Sequence, residues 1–465
     1  MPAQSSVSAA ALEADPPPAA AAGEGNSPGG AVEEPTGTVL TSTVNLANTI
    51  LGSGMLSMPN AMASLGLVLG SFVILLSACT SGLGLYLLSR CARRTSGRDS
   101  SFFAVSKLTY PRAALFFDAA IAIKCFGVSI SYLIIFGDLM PDIARALGLE
   151  AWLLLSRGFW ITFAIVVLAP LAFQRRLDAL AYTSFTALLA VAYLFVVVAM
   201  FYFSPLREPL PKGDIVLVRW SKEFFTHLPV FVFAFTCHQN IFSVYNELRS
   251  NSSKNLNGTI AASIGSACGV YQWIAILGYL TFGSKVAPNL LVMYDNSLVI
   301  TFCRLSVAVL VLFSYPLQCH PARNCLDKVI SGTVRAWRKE PTFEPLVDED
   351  SAVDTGLPAS DAPTAAPVVH VMSPTKHVSI TFALMTLSYV VSMTVTSLDL
   401  VLSFVGSTGS TCISFILPGV FYYKMHQNSR WTRMKVLSVL LAVYGVFVLV
   451  FCLGANISRV LEGDY

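Results

Sequence analysis

The sequence predicts an all-α membrane protein, and three features carry that prediction. Of its 465 residues, 54% are hydrophobic and 12% are charged, about half the charged fraction of a soluble globular chain. Apolar runs recur along nearly the whole length, and most are long enough to cross roughly 30 Å of hydrocarbon at about 1.5 Å per helical residue. Polar and charged residues gather in the connections between those runs. By the usual prior the length would mean about three soluble domains. Because water is not the main solvent, one membrane-embedded domain over residues 37–455 is the better count.

Eleven spans are expected, at residues 38–58, 65–89, 113–137, 158–173, 179–203, 223–246, 258–282, 297–319, 377–397, 400–423 and 435–455. With the N-terminus in the cytosol, the cytosolic loops hold twenty Lys and Arg and the opposite loops hold eight. Cytosolic loops attract positive residues, so the excess predicts N-terminus in and C-terminus out. The other two, Lys124 and Arg304, fall inside spans, where a cation needs a partner on another helix or a pathway to line. Asp118 precedes Lys124 by six residues. That is not a helical-face spacing, so those two are not expected to pair.

Residues 1–36 are rich in Ala, Pro and Gly and hold five acidic residues with no Lys or Arg, the composition of a disordered cytosolic tail. Residues 339–376, rich in Pro, Asp and Ala, read as a flexible cytosolic loop within the membrane domain. Ser373-Pro374 adds a regulatory phosphorylation reading beside the linker one. No basic region followed by a short apolar stretch marks a signal peptide, so the first apolar segment is expected to stay as an anchor. Asn456-Ile457-Ser458 is a glycosylation sequon on the expected outer side, close to the membrane.

Several function classes find no support. A net charge of +3 is too small to imply a nucleic-acid partner. The ten cysteines form no CxxC pair and mostly lie inside apolar runs, so neither a disulfide framework, a metal site nor a cofactor is expected. The six histidines form neither HExxH nor a tight cluster with Asp, and GxSxG is missing, which leaves an intramembrane enzyme without a motif. No charge ring or carbonyl-filter signal of a channel is found either.

The polar residues within spans are the informative ones. The first span reads Asn45 to Leu56 with Gly52-Ser53-Gly54 near its middle. A helix broken there frees backbone groups, which a bilayer tolerates only beside protein or a water-filled cavity. The new half-helix N-terminus can hold a carboxylate while freed carbonyls face a cation. An amino acid substrate, with its α-carboxylate and α-amino group, needs both. The glycines equally allow close approach of a neighbouring helix, and both readings stand. The sixth span carries Thr236-Cys237-His238-Gln239-Asn240 between apolar flanks. Polar groups at depth face a cavity or one another. His238 suits a coupling proton, since histidine changes charge near neutral pH, but it can equally serve as a plain interhelical hydrogen-bonder. Gln239 and Asn240 read as substrate or packing contacts. The tenth span opens with Gly406-Ser407-Thr408-Gly409-Ser410-Thr411, small residues suited to tight helix packing.

These residues resemble the amino acid/auxin permease family, which includes fungal vacuolar amino acid transporters and sodium-coupled neutral amino acid transporters. The resemblance covers residues 37–455 and rests on NLANTILGSGMLSMPNAM (Asn45–Met62), SYLIIFGDLMP (Ser131–Pro141), FAFTCHQNIFSVYNEL (Phe233–Leu248) and GSTGSTCISFILPG (Gly406–Gly419). It implies an APC/LeuT-like fold of two inverted five-helix repeats, here about 38–203 and 223–423, plus an extra helix at about 435–455. It also implies a midplane substrate site at breaks in spans one and six, drawn from Asn48, Gly52, Ser53, Gly54, Thr236, Gln239 and Asn240. By position, Asn45 or Asn48 and Ser314, two residues before Pro316, correspond to the cation site of sodium-coupled relatives. The third, sixth and tenth spans are most similar to the fungal vacuolar branch. The resemblance therefore implies a vacuolar, lysosome-like membrane ahead of a plasma membrane, proton coupling ahead of sodium, and an amino acid and membrane lipid as partners. A sodium-coupled symporter and an amino acid sensor signalling through its cytosolic segments are the alternatives.

Overall fold

The computed structural model describes residues 37–95, 100–111, 114–174, 183–204, 212–338 and 372–463. The tail at 1–36 and most of the loop at 339–376 lie outside them. Among the described residues no strand occurs. One isolated bridge pairs Gly37 with Leu248.

The helices, in order, are α1 (Val39–Ile50), α2 (Gly54–Leu65), α3 (Leu67–Ala92), α4 (Phe102–Thr109), α5 (Ala114–Ala146), α6 (Arg157–Ala172), α7 (Thr183–Phe203) and α8 (Glu223–Ala234). They continue with α9 (Ile241–Glu247), α10 (Ser253–Phe282), α11 (Leu298–Trp337), α12 (Pro374–Thr394), α13 (Leu398–Val405), α14 (Leu417–Met425), α15 (Arg433–Phe447) and α16 (Leu453–Glu462). Wide π turns at Gly406–Ser410 and Cys412–Ile416 join α13 to α14, and a third at Val448–Cys452 joins α15 to α16. Among the described residues, eight continuous or nearly continuous helical segments are long and apolar enough to cross a membrane. They are 67–92, 114–146, 223–247, 253–285, 298–337, 374–394, 398–425 and 433–462. Residues 157–172 and 187–203 form shorter apolar helices, and α1 and α2 make an interrupted pair.

Boundaries differ from the expected ones where polarity and helicity part. α2 runs on to Leu65, beyond the expected end at 58, and stops at Gly66, whose φ of 85° only glycine adopts easily. α5 and α11 continue to Ala146 and Trp337 rather than ending at 137 and 319. Hydropathy marks where a helix leaves the apolar region, and an amphipathic continuation such as residues 320–337 stays helical in water.

Burial shows which solvent the bundle was built for. Segments 114–146, 223–247 and 398–425 form its centre, whereas 433–462 is mostly exposed. The outward side chains of α3 (Phe72, Leu75) and α15 (Leu440, Val443) are large and apolar. Such a surface would be unstable in water and suits lipid. Of the two cations inside spans, Arg304 meets the expectation of a partner. Its guanidinium donates to the Tyr294 carbonyl at 2.7 Å and to Asn296 Oδ1 at 2.5 Å, with Asp142 Oδ2 at 3.6 Å. Lys124 does not: it is buried beside Cys125 and Cys237, and among the described residues Nζ makes no hydrogen bond or ion pair. The sequon residue Asn456 is fully buried and donates to its own helix at the Cys452 carbonyl, so its amide is not available to a glycosyl group. Ser373 caps α12 by accepting from the Lys376 N–H.

The π turn after α13 is where packing is tightest. A Cβ at Gly406 would overlap the Pro229 carbonyl of α8, whereas Gly258 on α10 has open space around it. Gly406→Val should lower stability by about 1–3 kcal/mol through overpacking, read as a reduced thermal unfolding midpoint of detergent-solubilised protein. Gly258→Ala should leave that midpoint unchanged or slightly raised.

Candidate functional site

Two helices are interrupted side by side. α1 ends at Ile50, and the chain passes through Leu51, Gly52 and Ser53 before α2 begins at Gly54. α8 ends at Ala234, and Phe235, Thr236 and Cys237 lead to a single 3₁₀ turn, His238–Asn240, before α9. Each interruption leaves carbonyls without helical partners, and inside a bilayer these must be satisfied by protein or enclosed water.

Side chains from α3 and α10 meet that need. The fully buried Tyr271 hydroxyl of α10 lies 2.6 Å from the Ile50 carbonyl and 3.1 Å from the Ala234 carbonyl, so one donor serves both breaks. Ser81 of α3 donates to the Phe235 carbonyl at 2.7 Å, and its own carbonyl lies 3.1 Å from His238 Nε2. The other ring nitrogen, Nδ1, is 3.0 Å from the Ser414 hydroxyl on the second π turn. A carbonyl only accepts, so Nε2 carries the hydrogen and Ser414 can donate to Nδ1. His238 is thus fully satisfied as a neutral ring. Thr236 donates to the Val232 carbonyl at 2.8 Å and stands 3.3 Å from Ser414 Oγ. The two interrupted helices also touch directly. Asn240 Nδ2 donates to Thr49 Oγ1 at 2.8 Å, and at the far end the Gly37 N–H donates to the Glu247 carbonyl at 3.0 Å.

A cavity of about 40 Å³ opens beside the first break, lined by Asn48, Gly52, Ser53, Tyr132, Ala187 and Ser314 together with apolar residues of α2 and α11. It holds on the order of one or two waters. Its polar lining comes from three elements. Among the described residues, Asn48 Oδ1 is buried without a hydrogen-bond partner. The Ser53 hydroxyl is 3.2 Å from that of Ser131, and Tyr132 lies near Ser314 and Gln318. Pro316 deprives the carbonyl of residue 312 of its helical N–H donor. The polar atoms in this otherwise apolar lining are mostly oxygens, and among the described residues none belongs to a carboxylate. Such a lining fits a weakly held cation or the polar end of a small zwitterion.

The structure thus brings Asn48, Gly52, Ser53 and Ser314 to one cavity. Gly54 lies just behind it: a Cβ there would come 3.0 Å from Ala234 Cβ, so this glycine lets the two breaks meet. The helix is interrupted at Gly52, and at Gly54 a neighbouring helix comes close. Thr236, His238, Gln239 and Asn240 belong to the second break and do not line the cavity. The Gln239 Oε1 is buried there without a partner. Asn45 is exposed on α1, and its carbonyl accepts from Thr49 Oγ1. Sequence reasoning passed over Tyr271, Ser81, Ser131, Tyr132 and Ser414. No local pattern shows which distant group each hydroxyl reaches.

A bundle of apolar helices with two breaks joined through a shared hydroxyl, next to a small oxygen-lined cavity, defines an integral membrane protein with a polar site at its centre. The chain belongs to the transmembrane amino acid transporter protein family, whose model matches residues 35–458. It is 43% identical over 430 residues to vacuolar amino acid transporter 5 of Schizosaccharomyces pombe, covering 90% of this chain and 94% of that one. It is 35% identical to vacuolar amino acid transporter 6 of Saccharomyces cerevisiae, over 89% and 98% of the two chains. Identity to sodium-coupled neutral amino acid transporter 7 of Bos taurus is 24%, over 91% and 89%. These relatives are named as transporters, and the family is not one of enzymes.

Because Tyr271 serves carbonyls at both breaks, Tyr271→Phe should destabilise the fold by about 1–3 kcal/mol, the cost of leaving buried acceptors unpaired. The check is the thermal unfolding midpoint, with Tyr279→Phe on the same helix, whose hydroxyl contacts residue 216 instead, as the comparison.

Proposed function

We propose that the protein is a secondary active transporter that moves amino acids across a vacuolar, lysosome-like membrane by alternating access, with a proton as the coupling ion. The observation that supports this reading best is the adjacency of the two breaks. A helix N-terminus without a capping side chain at Ser53–Gly54 and a helix C-terminus at Ala234 meet there. In this reading the first receives the substrate α-carboxylate and the carbonyls of the second the α-amino group, as the charges of helix ends favour. Asn48, Gly52 and Ser53 contact substrate, with Thr236, Gln239 and Asn240 on the opposite side. His238 carries the coupling proton, and in the sodium-coupled alternative Ser314 with Asn48, or with Asn45 about one turn earlier on α1, would hold the cation. Eleven crossings arranged as two inverted repeats, about 38–203 and 223–423, with an extra helix at about 435–455, would place both breaks at mid-membrane.

A cavity of about 40 Å³ is far below the roughly 300–1,000 Å³ of small-molecule sites, so the helices must part to admit an amino acid. That requirement favours alternating access over a standing pore. The vacuolar setting is supported by the names of the relatives at 43% and 35% identity, and an acidic lumen makes proton-coupled export to the cytosol the natural direction.

Purified protein in liposomes should accumulate a labelled amino acid mixture when a pH gradient is imposed, and not when a sodium gradient alone is imposed. Accumulation on sodium alone would replace the proton, and binding without accumulation under either gradient would favour a sensor. Gly54→Val, whose side chain has no room beside Ala234, should abolish uptake while still inserting. At Gly52 a Cβ would stand 3.7 Å from the Tyr132 hydroxyl, an ordinary contact. Gly52→Ala should therefore fold normally yet weaken apparent substrate affinity by on the order of tenfold, equivalent to about 1.4 kcal/mol.

A further inference from the structure

Where α12 begins, a sequence motif and an ion pair coincide. Ser373-Pro374-Thr375-Lys376 sets a hydroxyl before a proline, with a base three residues on. Ser204-Pro205-Leu206-Arg207 repeats the pattern. In the orientation favoured by the loop charges, Ser204 lies on the side away from the cytosol and Ser373 on the cytosolic side. Ser373 is exposed, and its φ of −61° and ψ of 145° are those of extended chain. The residues after it form the first turn of α12, and terminal turns open at little cost. Pro374 offers no N–H, so the enzyme suited to this serine is a protein kinase whose cleft asks for none at that position. The cationic Lys376 suits an acidic patch further along the same cleft.

The same lysine fastens α12 to α11. Lys376 Nζ donates to Ser331 Oγ at 3.1 Å and stands 3.5 Å from Asp327 Oδ1. Ser331, one turn along α11, donates to that carboxylate at 3.3 Å. Asp327 is buried and Lys376 half-exposed. The Ser373 hydroxyl accepts from the Lys376 N–H at 3.3 Å, and residues three apart on a helical turn share one face. A phosphoryl group on Ser373 carries a charge of about −1.5 to −2 at neutral pH and three acceptor oxygens, against the single charge of a carboxylate. The ammonium then has a stronger partner on its own helix than across the seam. A deeper contact keeps the two helices packed: Arg323 of α11 donates to Thr381 Oγ1 of α12 at 3.1 Å.

We propose that Ser373 is the acceptor of a proline-directed protein kinase, and that its phosphate draws Lys376 away from Asp327 and unfastens the cytosolic end of α12 from α11. In the transfer, Ser373 Oγ bonds to the γ-phosphorus of ATP, the bond from that phosphorus to the β-bridging oxygen breaks, ADP leaves, and the hydroxyl proton passes to a base of the kinase. The acceptor site stands apart from the transport reading, and its effect on flux rests on that reading. α11 lines the cavity beside the first break through Val307, Val311 and Ser314. The loosened seam therefore adjoins a helix that has to part from its neighbours for substrate to enter.

Purified protein in detergent, incubated with radiolabelled ATP and a cyclin-dependent kinase, should take up phosphate that peptide mass spectrometry places on Ser373. Ser373→Asn keeps a capping side chain and should lose that label, and Pro374→Ala should lose most of it. An unlabelled Ser373 in the wild type would overturn the site. The switch is read in thermal unfolding. The change in midpoint on phosphorylation should differ between wild type and Asp327→Asn by about 1 °C or more, because only the wild type gives up the ion pair. Equal changes would show that Lys376 stays on Asp327 and would overturn the switch. Exchange of a labelled amino acid mixture in proteoliposomes, with no gradient imposed, should rise by about fivefold on phosphorylation. Asp327→Asn should exchange at the raised rate without the kinase and gain nothing further from it. An unchanged wild-type rate would remove the effect on flux. If neither form exchanges at all, the transport reading fails, while label and midpoint still decide the site and the switch.

Discussion

The structure depends on one constraint: backbone carbonyls released by two helix breaks have to be satisfied where no bulk water reaches them. An unpaired buried acceptor costs about 1–3 kcal/mol, and several at once would consume a large part of a typical net stability of about 5–15 kcal/mol. The Tyr271 hydroxyl, set between the Ile50 and Ala234 carbonyls, and the Ser81 hydroxyl on the Phe235 carbonyl remove that penalty. They also decide the architecture, since α10 must lie against both breaks and α3 against the second for their side chains to reach. The breaks are held next to each other as a consequence of being held at all.

Around that centre, polar chemistry is sorted by how completely it is satisfied. His238 has a partner suited to each ring nitrogen of the neutral form, and Arg304 is surrounded by carbonyls and an amide oxygen. Asn48 Oδ1 and Gln239 Oε1 are buried without partners, one beside each break. The long contact of α5 with α11 forms one wall of the small cavity between α1, α5, α7 and α11.

Membrane character and the polar motifs were legible in the chain because hydropathy and composition are local properties. The Gly-Ser-Gly segment and the run from Thr236 to Asn240 stood out for the same reason: each is polar where a spanning helix should be apolar. Helix ends were less legible. α5 and α11 outrun their apolar stretches because an amphipathic continuation is stable beyond the membrane. Asn456 read as an outward sequon and is buried, since a three-residue motif carries no information on which face of a helix it occupies.

By itself, the sequence determined the solvent, the polar interruptions at which spans one and six could break, and the family to which the chain belongs. Tertiary structure alone decided which side chains close the breaks, that Asn48 and Ser314 share a cavity while Asn45 faces outward, and that Lys376 reaches Asp327. The reason is physical. A break or an apolar run is written in consecutive residues, whereas a hydrogen bond between residues 50 and 271, or an ion pair between 327 and 376, exists only once independent helices have packed. Their relative rotation places one face of each helix inward, and no stretch of consecutive residues encodes that rotation.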